Sequence, residues 1–204
     1  MQVKLESEHP LTEVKSATGK AWDEWFSILD SRGGVAQGRR AIGEFLYKEC
    51  KLDPWWCATI NVEYEAARGV VEKDGRPKGF MICVTKTIAS PVEKAYEAWA
   101  TSDALNQWFS KTNNAEVSDG GRYSNADGDT GVFKRVRKNK DLRFTWENLA
   151  HNSPTLVDVV FQDKGKGKTG VMITHDRIQN REEADGLREG WARALDRLKA
   201  LLEA

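Results

Sequence analysis

In this 204-residue chain the residue types that most readily do chemistry do not gather into a single motif. His175 sits in the run TGVMITHDR, where it shares strand parity with Val171 and Ile173. Strand alternation would point it inward among apolar groups, where a neutral imidazole can bond a ligand or take up a proton. It is the one candidate for acid–base work, although such a histidine more commonly serves as a satisfied core or rim residue. His151 falls in a turn between strands and His9 in the N-terminal tail, so the three do not converge. Glu147 and Asp176 show no partner, and no nucleophile, base and orienter come together. NADGDTG at 125–131 alternates Asn125, Asp127 and Asp129 as a calcium loop does, but Thr130 and Val136 stand where that loop needs glycine and glutamate. Cys50 and Cys57 lack zinc spacing, so neither a metal nor a cofactor is expected. GKGKTG at 165–170 has part of a phosphate-loop pattern, but Gln162 replaces the first glycine and no helix follows. It reads as a hairpin.

What the chain does supply is aromatic surface, including eight tryptophans. Trp108, Phe109, Phe144, Trp146, Phe161 and Trp191 would line or close a pocket, with His175, Asn148 or Tyr123 placed to orient a polar group of a ligand. The same rings also serve as core packing, and spacing alone does not separate the two readings. Gly186 and Gly190 lie inside the last helix, at a cost of about 1 kcal/mol each relative to alanine. A close approach of sheet or ligand would offset that cost.

Two segments with different grammar must position these residues. Residues 19–72 read as a small three-helix domain behind an N-terminal tail (1–18). Trp22, Trp25, Phe26 and Leu29 are at helical spacing, and Gly33-Gly34 stops that helix. Ile42, Phe45 and Leu46 share one face of a second helix, and Asp53-Pro54 opens a third as N-cap and N1. The polar, turn-forming stretch 73–79 marks the boundary. From residue 80 the period changes. FMICVTKTI is a strand, Ser90-Pro91-Val92-Glu93 reads as a capping box opening a short helix, and a second short helix ends near Trp108-Phe109. Five short strands follow, among them LRFTWEN, with Leu142, Phe144 and Trp146 on one side. Asn180 caps a last helix whose stripe is Ala184, Leu187, Trp191, Ala194, Leu195, Leu198 and Leu202. The class is α+β: a curved antiparallel sheet around a long C-terminal helix over 80–204.

Bulk properties exclude several functions. Thirty-one basic residues balance thirty-one acidic ones, so no net charge steers the chain to nucleic acid or anionic membrane. The N-terminus lacks a secretory apolar run, and no stretch nears the ~20 apolar residues of a membrane span. An odd, irregular set of cysteines fits a reducing compartment, so a soluble cytoplasmic protein is expected. Arg135, Arg137 and the lysines of turns 138–140 and 164–168 would form a basic rim at one sheet end, suited at most to an acidic protein partner.

Ser90-Pro91 with Ala98-Trp99, Leu105 with Trp108-Phe109, Gly120-Gly121-Arg122, Leu142 to Trp146, and Glu189-Gly190-Trp191 with Leu195 and Leu198 form an ordered set. In that order the segment 80–204 resembles the START-like, helix-grip superfamily (SRPBCC). Within it, the segment is most similar to bacterial proteins that look like the C-terminal domain of the activator of the heat-shock-protein-ninety ATPase. Residues 19–70 resemble a small helical domain family of unknown function through Thr18-Gly19-Lys20, Trp22, Trp25-Phe26, Trp55-Trp56, Tyr64-Glu65 and Arg68-Gly69. The superfamily resemblance implies a cavity between sheet and long helix, used by its members for lipids, polyketides or other apolar molecules. Three readings stay open: a noncatalytic binder of an apolar ligand, a cyclase- or hydrolase-like enzyme using His175, and a protein-interaction or co-chaperone module.

Overall fold

The computed structural model describes residues 11–111, 114–148 and 154–204; His9 and His151 lie outside them. Packing divides the chain into two units, one up to Phe80 and one from Met81.

The first unit is helical: α1 (Leu11–Thr18), α2 (Trp22–Ser31), a 3-10 turn (Gly34–Gln37), α3 (Gly38–Lys48) and α4 (Pro54–Ala67). The three helices expected from periodicity are α2, α3 and α4. α1 lies in the stretch read as a tail, and its Val14 is fully buried in the same core as Trp25, Leu46 and Ile60. Asp53 caps α4, accepting from Trp55 N at 2.8 Å with Pro54 at N1. On α2, Asp30 accepts hydrogen bonds from the Tyr64 hydroxyl (2.6 Å) and the Arg68 guanidinium (3.0 Å). Bonding from Arg68 and then Tyr64 lowers its pKa to about 2.

The second unit is a seven-stranded sheet in the order β1-β7-β6-β5-β4-β3-β2, with a long terminal helix. Its strands are β1 (Phe80–Ile88), β2 (Asn114–Ala115), β3 (Arg122–Ser124), β4 (Asp129–Arg137), β5 (Asp141–Asn148), β6 (Thr155–Gly165) and β7 (Lys168–Ile178). Helices α5 (Val92–Glu97) and α6 (Ser102–Trp108) follow β1, and α7 (Arg181–Leu202) ends the chain. The strands β2 to β7 form an antiparallel meander, and β1 joins it beside β7. This is the expected α+β helix-grip arrangement.

Register explains the core. Phe133 pairs with Phe144, Phe144 with Val157, and Val157 with His175, a row of four inward side chains crossing β4 to β7. Each is at most 4 % exposed. Gly131 is glycine because a Cβ there would stand 1.9 Å from the Thr145 carbonyl oxygen. α7 answers with Trp191, Ala194, Leu195 and Leu198, all buried, and its N-terminus is closed by Asn180 Oδ1, which accepts from Glu183 N at 3.2 Å.

Two local expectations are corrected. Ser90 does not cap α5: its hydroxyl is buried with no partner among the described residues, and the N-cap position falls to Pro91. What fixes Ser90 is its carbonyl, which accepts from Thr169 Oγ1 at 2.7 Å. Of the two contacts expected to offset Gly186 and Gly190, a close approach of the sheet is not found. A Cβ on either would meet no atom of the described residues within 4 Å.

Candidate functional site

Eight of the nine residues singled out for the ligand, all but Asn148, fall into one connected cluster on the inner face of the sheet. β3 contributes Tyr123, β5 Phe144 and Trp146, β6 Phe161, β7 His175, α7 Trp191, and the end of α6 Trp108 and Phe109. Trp191 is the hub. It lies 5.3 Å from Trp146 edge-on, 5.5 Å from Phe109 at an interplanar angle of only 12°, and 6.3 Å from His175. Phe109 also reaches Tyr123 (6.3 Å) and Trp146 (6.0 Å), and Tyr123 in turn reaches Phe144 (6.3 Å). Such offset and edge-on pairs add roughly 0.5–1.5 kcal/mol each to what burial contributes. Seven of the eight are buried, and Phe109 alone among them is half-exposed.

Arg197 explains why Phe109 stays there. α6 is short and leaves its last carbonyls unpaired. The Arg197 guanidinium, from α7, donates to Trp108 O at 2.6 Å and to Phe109 O at 2.9 Å. The backbone is thereby tied to α7, and the Phe109 ring hangs from a fixed point at the rim of the cluster.

His175 is wholly buried and bonded on both ring nitrogens. Trp191 Nε1–H donates to Nδ1 at 3.1 Å, so Nδ1 carries the lone pair. Nε2 lies 2.7 Å from Thr155 Oγ1, whose own proton goes to the Trp146 carbonyl at 3.0 Å. Nε2 therefore carries the proton and donates it. A neutral imidazole joins α7 to β5 and β6 through a short polar chain in an aromatic surround. Asn148, the other proposed orienting group, donates to Asp129 Oδ1 at 2.6 Å and serves the β4–β5 end of the sheet.

Tyr123 is 5 % exposed, and burial, reinforced by Asp129 and Asp127, raises its pKa above the ordinary phenol value. Asn125 Nδ2 donates to its oxygen at 2.7 Å. The NADGDTG segment is a turn organised by that same asparagine, whose Oδ1 accepts from Asp127 N (3.0 Å) and Asp129 N (2.9 Å).

The basic rim loses its arginines to ion pairs on the outer face. Arg135 bonds Asp141 (2.7 Å) and Asp158 (3.2 Å), and Arg137 pairs with Asp141. Burial works to raise the Asp141 pKa, but bonds from Arg137 and Arg135 outweigh it and leave it lowered. For Asp158 burial wins over Arg143 and Arg135, and its pKa is raised. A groove of ≈ 490 Å³ also opens on that face, lined by Glu116, Arg122, Ser124, Thr130 and Glu147 among others; it shares only Tyr123 with the aromatic set.

Two residues of the cluster escaped the sequence reading. Thr155 begins β6, and its link to His175 depends on strand register. Trp99, two residues past the end of α5, stands 4.7 Å from Trp108, 6.3 Å from Phe161 and 6.3 Å from Trp191. The signal for it was available: a buried indole brings an N–H that needs an acceptor.

Comparison with known proteins agrees with this architecture. Residues 89–203 match the family described as Activator of Hsp90 ATPase homolog 1-like protein. Among solved structures, CalU16 from Micromonospora echinospora is similar at 19% identity, over 60% of this chain and 75% of that one, with a TM-score of 0.55. An Hsp90 activator from Plasmodium falciparum is similar at 21%, over 61% and 97%, with a TM-score of 0.54. A protein from Mesorhizobium loti is similar at 24%, over 60% and 96%, with a TM-score of 0.55. At these identities the likeness is one of fold. No curated protein matches the chain.

Proposed function

This chain belongs to the Activator of Hsp90 ATPase homolog 1-like family, and from that premise we propose that its helix-grip unit binds a small, mostly apolar molecule between the sheet and α7. The observation that carries this reading is Phe109. A continuous cluster of rings fills the inner face, and its one half-exposed member lies flat on Trp191 from a backbone pinned by Arg197. Rotation of that single side chain exchanges one aromatic surface for another against Trp191, Trp146 and Tyr123. Aromatic walls supply affinity through burial, and the few polar groups orient the occupant.

His175 supports binding over catalysis. Both ring nitrogens are engaged by Trp191 and Thr155, so the imidazole holds the walls in place. A co-chaperone role, suggested by the name of the Plasmodium falciparum protein, is the alternative.

N-phenyl-1-naphthylamine, an uncharged fluorescent probe, tests the reading. The wild-type protein is expected to bind one equivalent and to lose tryptophan emission by energy transfer to it. Phe109→Ala vacates the face of Trp191 and is expected to bind about tenfold tighter, since burying one such ring contributes roughly 1.5–3 kcal/mol. Failure of both proteins to bind would sink the proposal and leave the co-chaperone alternative.

A further inference from the structure

Inside the aromatic cluster two hydrogen-bond donors are unspent. Trp99 is 3 % exposed, and its Nε1–H meets no acceptor among the described residues. Four rings enclose it instead: Trp108, Phe109, Phe161 and Trp191. Its neighbours are satisfied, with Trp108 Nε1 donating to Ala98 O at 2.9 Å and Trp191 Nε1 to His175. A buried donor left without a partner forfeits its hydration for nothing in return.

The second donor is the Tyr123 hydroxyl. Asn125 presents its NH2 to the phenol oxygen, and that amide orientation is fixed because Oδ1 accepts two backbone N–H groups. The phenol proton therefore points elsewhere, and it finds no acceptor among the described residues. Burial and the nearby Asp129 and Asp127 carboxylates keep the group protonated.

We infer that the occupant of this interior is a flat, uncharged molecule carrying a carbonyl oxygen, which accepts from Trp99 Nε1–H while the ring system takes the place of Phe109 against Trp191. The inference rests on the ligand-binding reading above and adds the chemistry of the ligand. Flatness follows from the stacking: Phe109 lies 12° from the plane of Trp191 and 27° from that of Trp99. Lack of charge follows from the surroundings. Arg197, which reaches Phe109, is committed to backbone carbonyls, and the carboxylates acting on Tyr123 disfavour an anion. The acceptor is required by the donors, which have no use for a pure hydrocarbon. Space beside the rim is consistent with this exchange. Gly190 stands two turns before Arg197 on the same flank of α7, and around it a Cβ would touch nothing described within 4 Å.

An isosteric pair separates the inference from the reading beneath it: 2-acetylnaphthalene and 2-isopropenylnaphthalene, which differ by C=O against C=CH2. For the wild-type protein the ketone is expected to bind about tenfold tighter, the worth of one buried hydrogen bond. Trp99→Phe is expected to bring the two affinities together, leaving that of the hydrocarbon within about twofold. A spectrum of wild-type protein labelled with 15N-tryptophan gives a readout that needs no folded variant. There the Trp99 indole N–H resonance moves downfield with the ketone and not with the hydrocarbon. Equal affinities of the pair for wild type, or a Trp99 resonance indifferent to the carbonyl, overturn the inference and leave an apolar binder standing. If neither compound binds, both fall.

Discussion

Trp191 Nε1–H, His175, the Thr155 hydroxyl and the Trp146 carbonyl form a chain in which each donor has one acceptor. It crosses from α7 through β7 to β6 and β5. In a low-dielectric surround such a chain is worth most when complete, because a missing member strands its neighbours. Thr155→Val conserves shape and removes the hydroxyl, leaving His175 Nε2–H and the Trp146 carbonyl facing a methyl group. The expected loss is about 1–3 kcal/mol, read as a lower urea midpoint at unchanged slope, with Thr155→Ser restoring most of it. An unchanged midpoint would mean that the imidazole is satisfied some other way. Strand parity in TGVMITHDR already turned His175 inward, and its burial follows from that parity. Its partner could not be read there, since Thr155 lies twenty residues away and approaches on a diagonal set by the Val157–His175 pairing. The Trp99 donor escaped for a related reason: helical spacing says that the ring is buried and says nothing about what its nitrogen meets.

At the level of elements, α7 poses a question that packing does not answer. Two glycines within one turn cost a helix about 2 kcal/mol in total against alanine. The sequence suggested that a close approach of sheet or ligand offsets that cost, yet no described residue crowds either position. Gly186→Ala and Gly190→Ala are therefore expected to stabilise the protein by up to about 1 kcal/mol each, the intrinsic propensity difference, with thermal midpoints rising accordingly. Destabilisation by either would mean that the flank is occupied in the folded protein by something beyond the described residues. Other element-level features followed their local signals closely. β1 spans the β-branched run, Asn180 caps α7 and Asp53-Pro54 opens α4, because each depends on neighbours in sequence. The signals failed where tertiary contacts intervened. Ser90 has the sequence of a cap but is held by Thr169 through its carbonyl, and α1 is placed by the burial of Val14. The two-residue β2 carries too little pattern to announce itself.

At the scale of the molecule, the family match covers residues 89–203 and so falls within the second unit alone. Composition suggested a boundary at 73–79, where Lys73, Asp74 and Gly75 form the exposed tip of a turn closed by a bridge between Val71 and Pro77. The packing break comes slightly later, at Phe80/Met81. The difference has a physical cause. Arg39 donates to Gly79 O at 2.9 Å and pairs with the buried Glu65, while Lys78 lies 3.9 Å from that same carboxylate, so the end of the turn is fastened to the helical unit. Charged side chains converging on one buried glutamate are invisible to a reading of local composition. An exposed turn between two units with their own cores is where a protease should cut first. Brief digestion with trypsin is expected to cleave after Lys73 before other sites, giving a fragment beginning at Asp74 that keeps a cooperative unfolding transition. That fragment is also expected to retain the affinity of the intact chain for N-phenyl-1-naphthylamine, because every ring assigned to the ligand lies beyond residue 98. A fragment that folds but no longer binds would give the helical unit a direct part in holding the ligand. Early cleavage inside β4 to β7 would mean that the sheet opens more readily than the turn that precedes it.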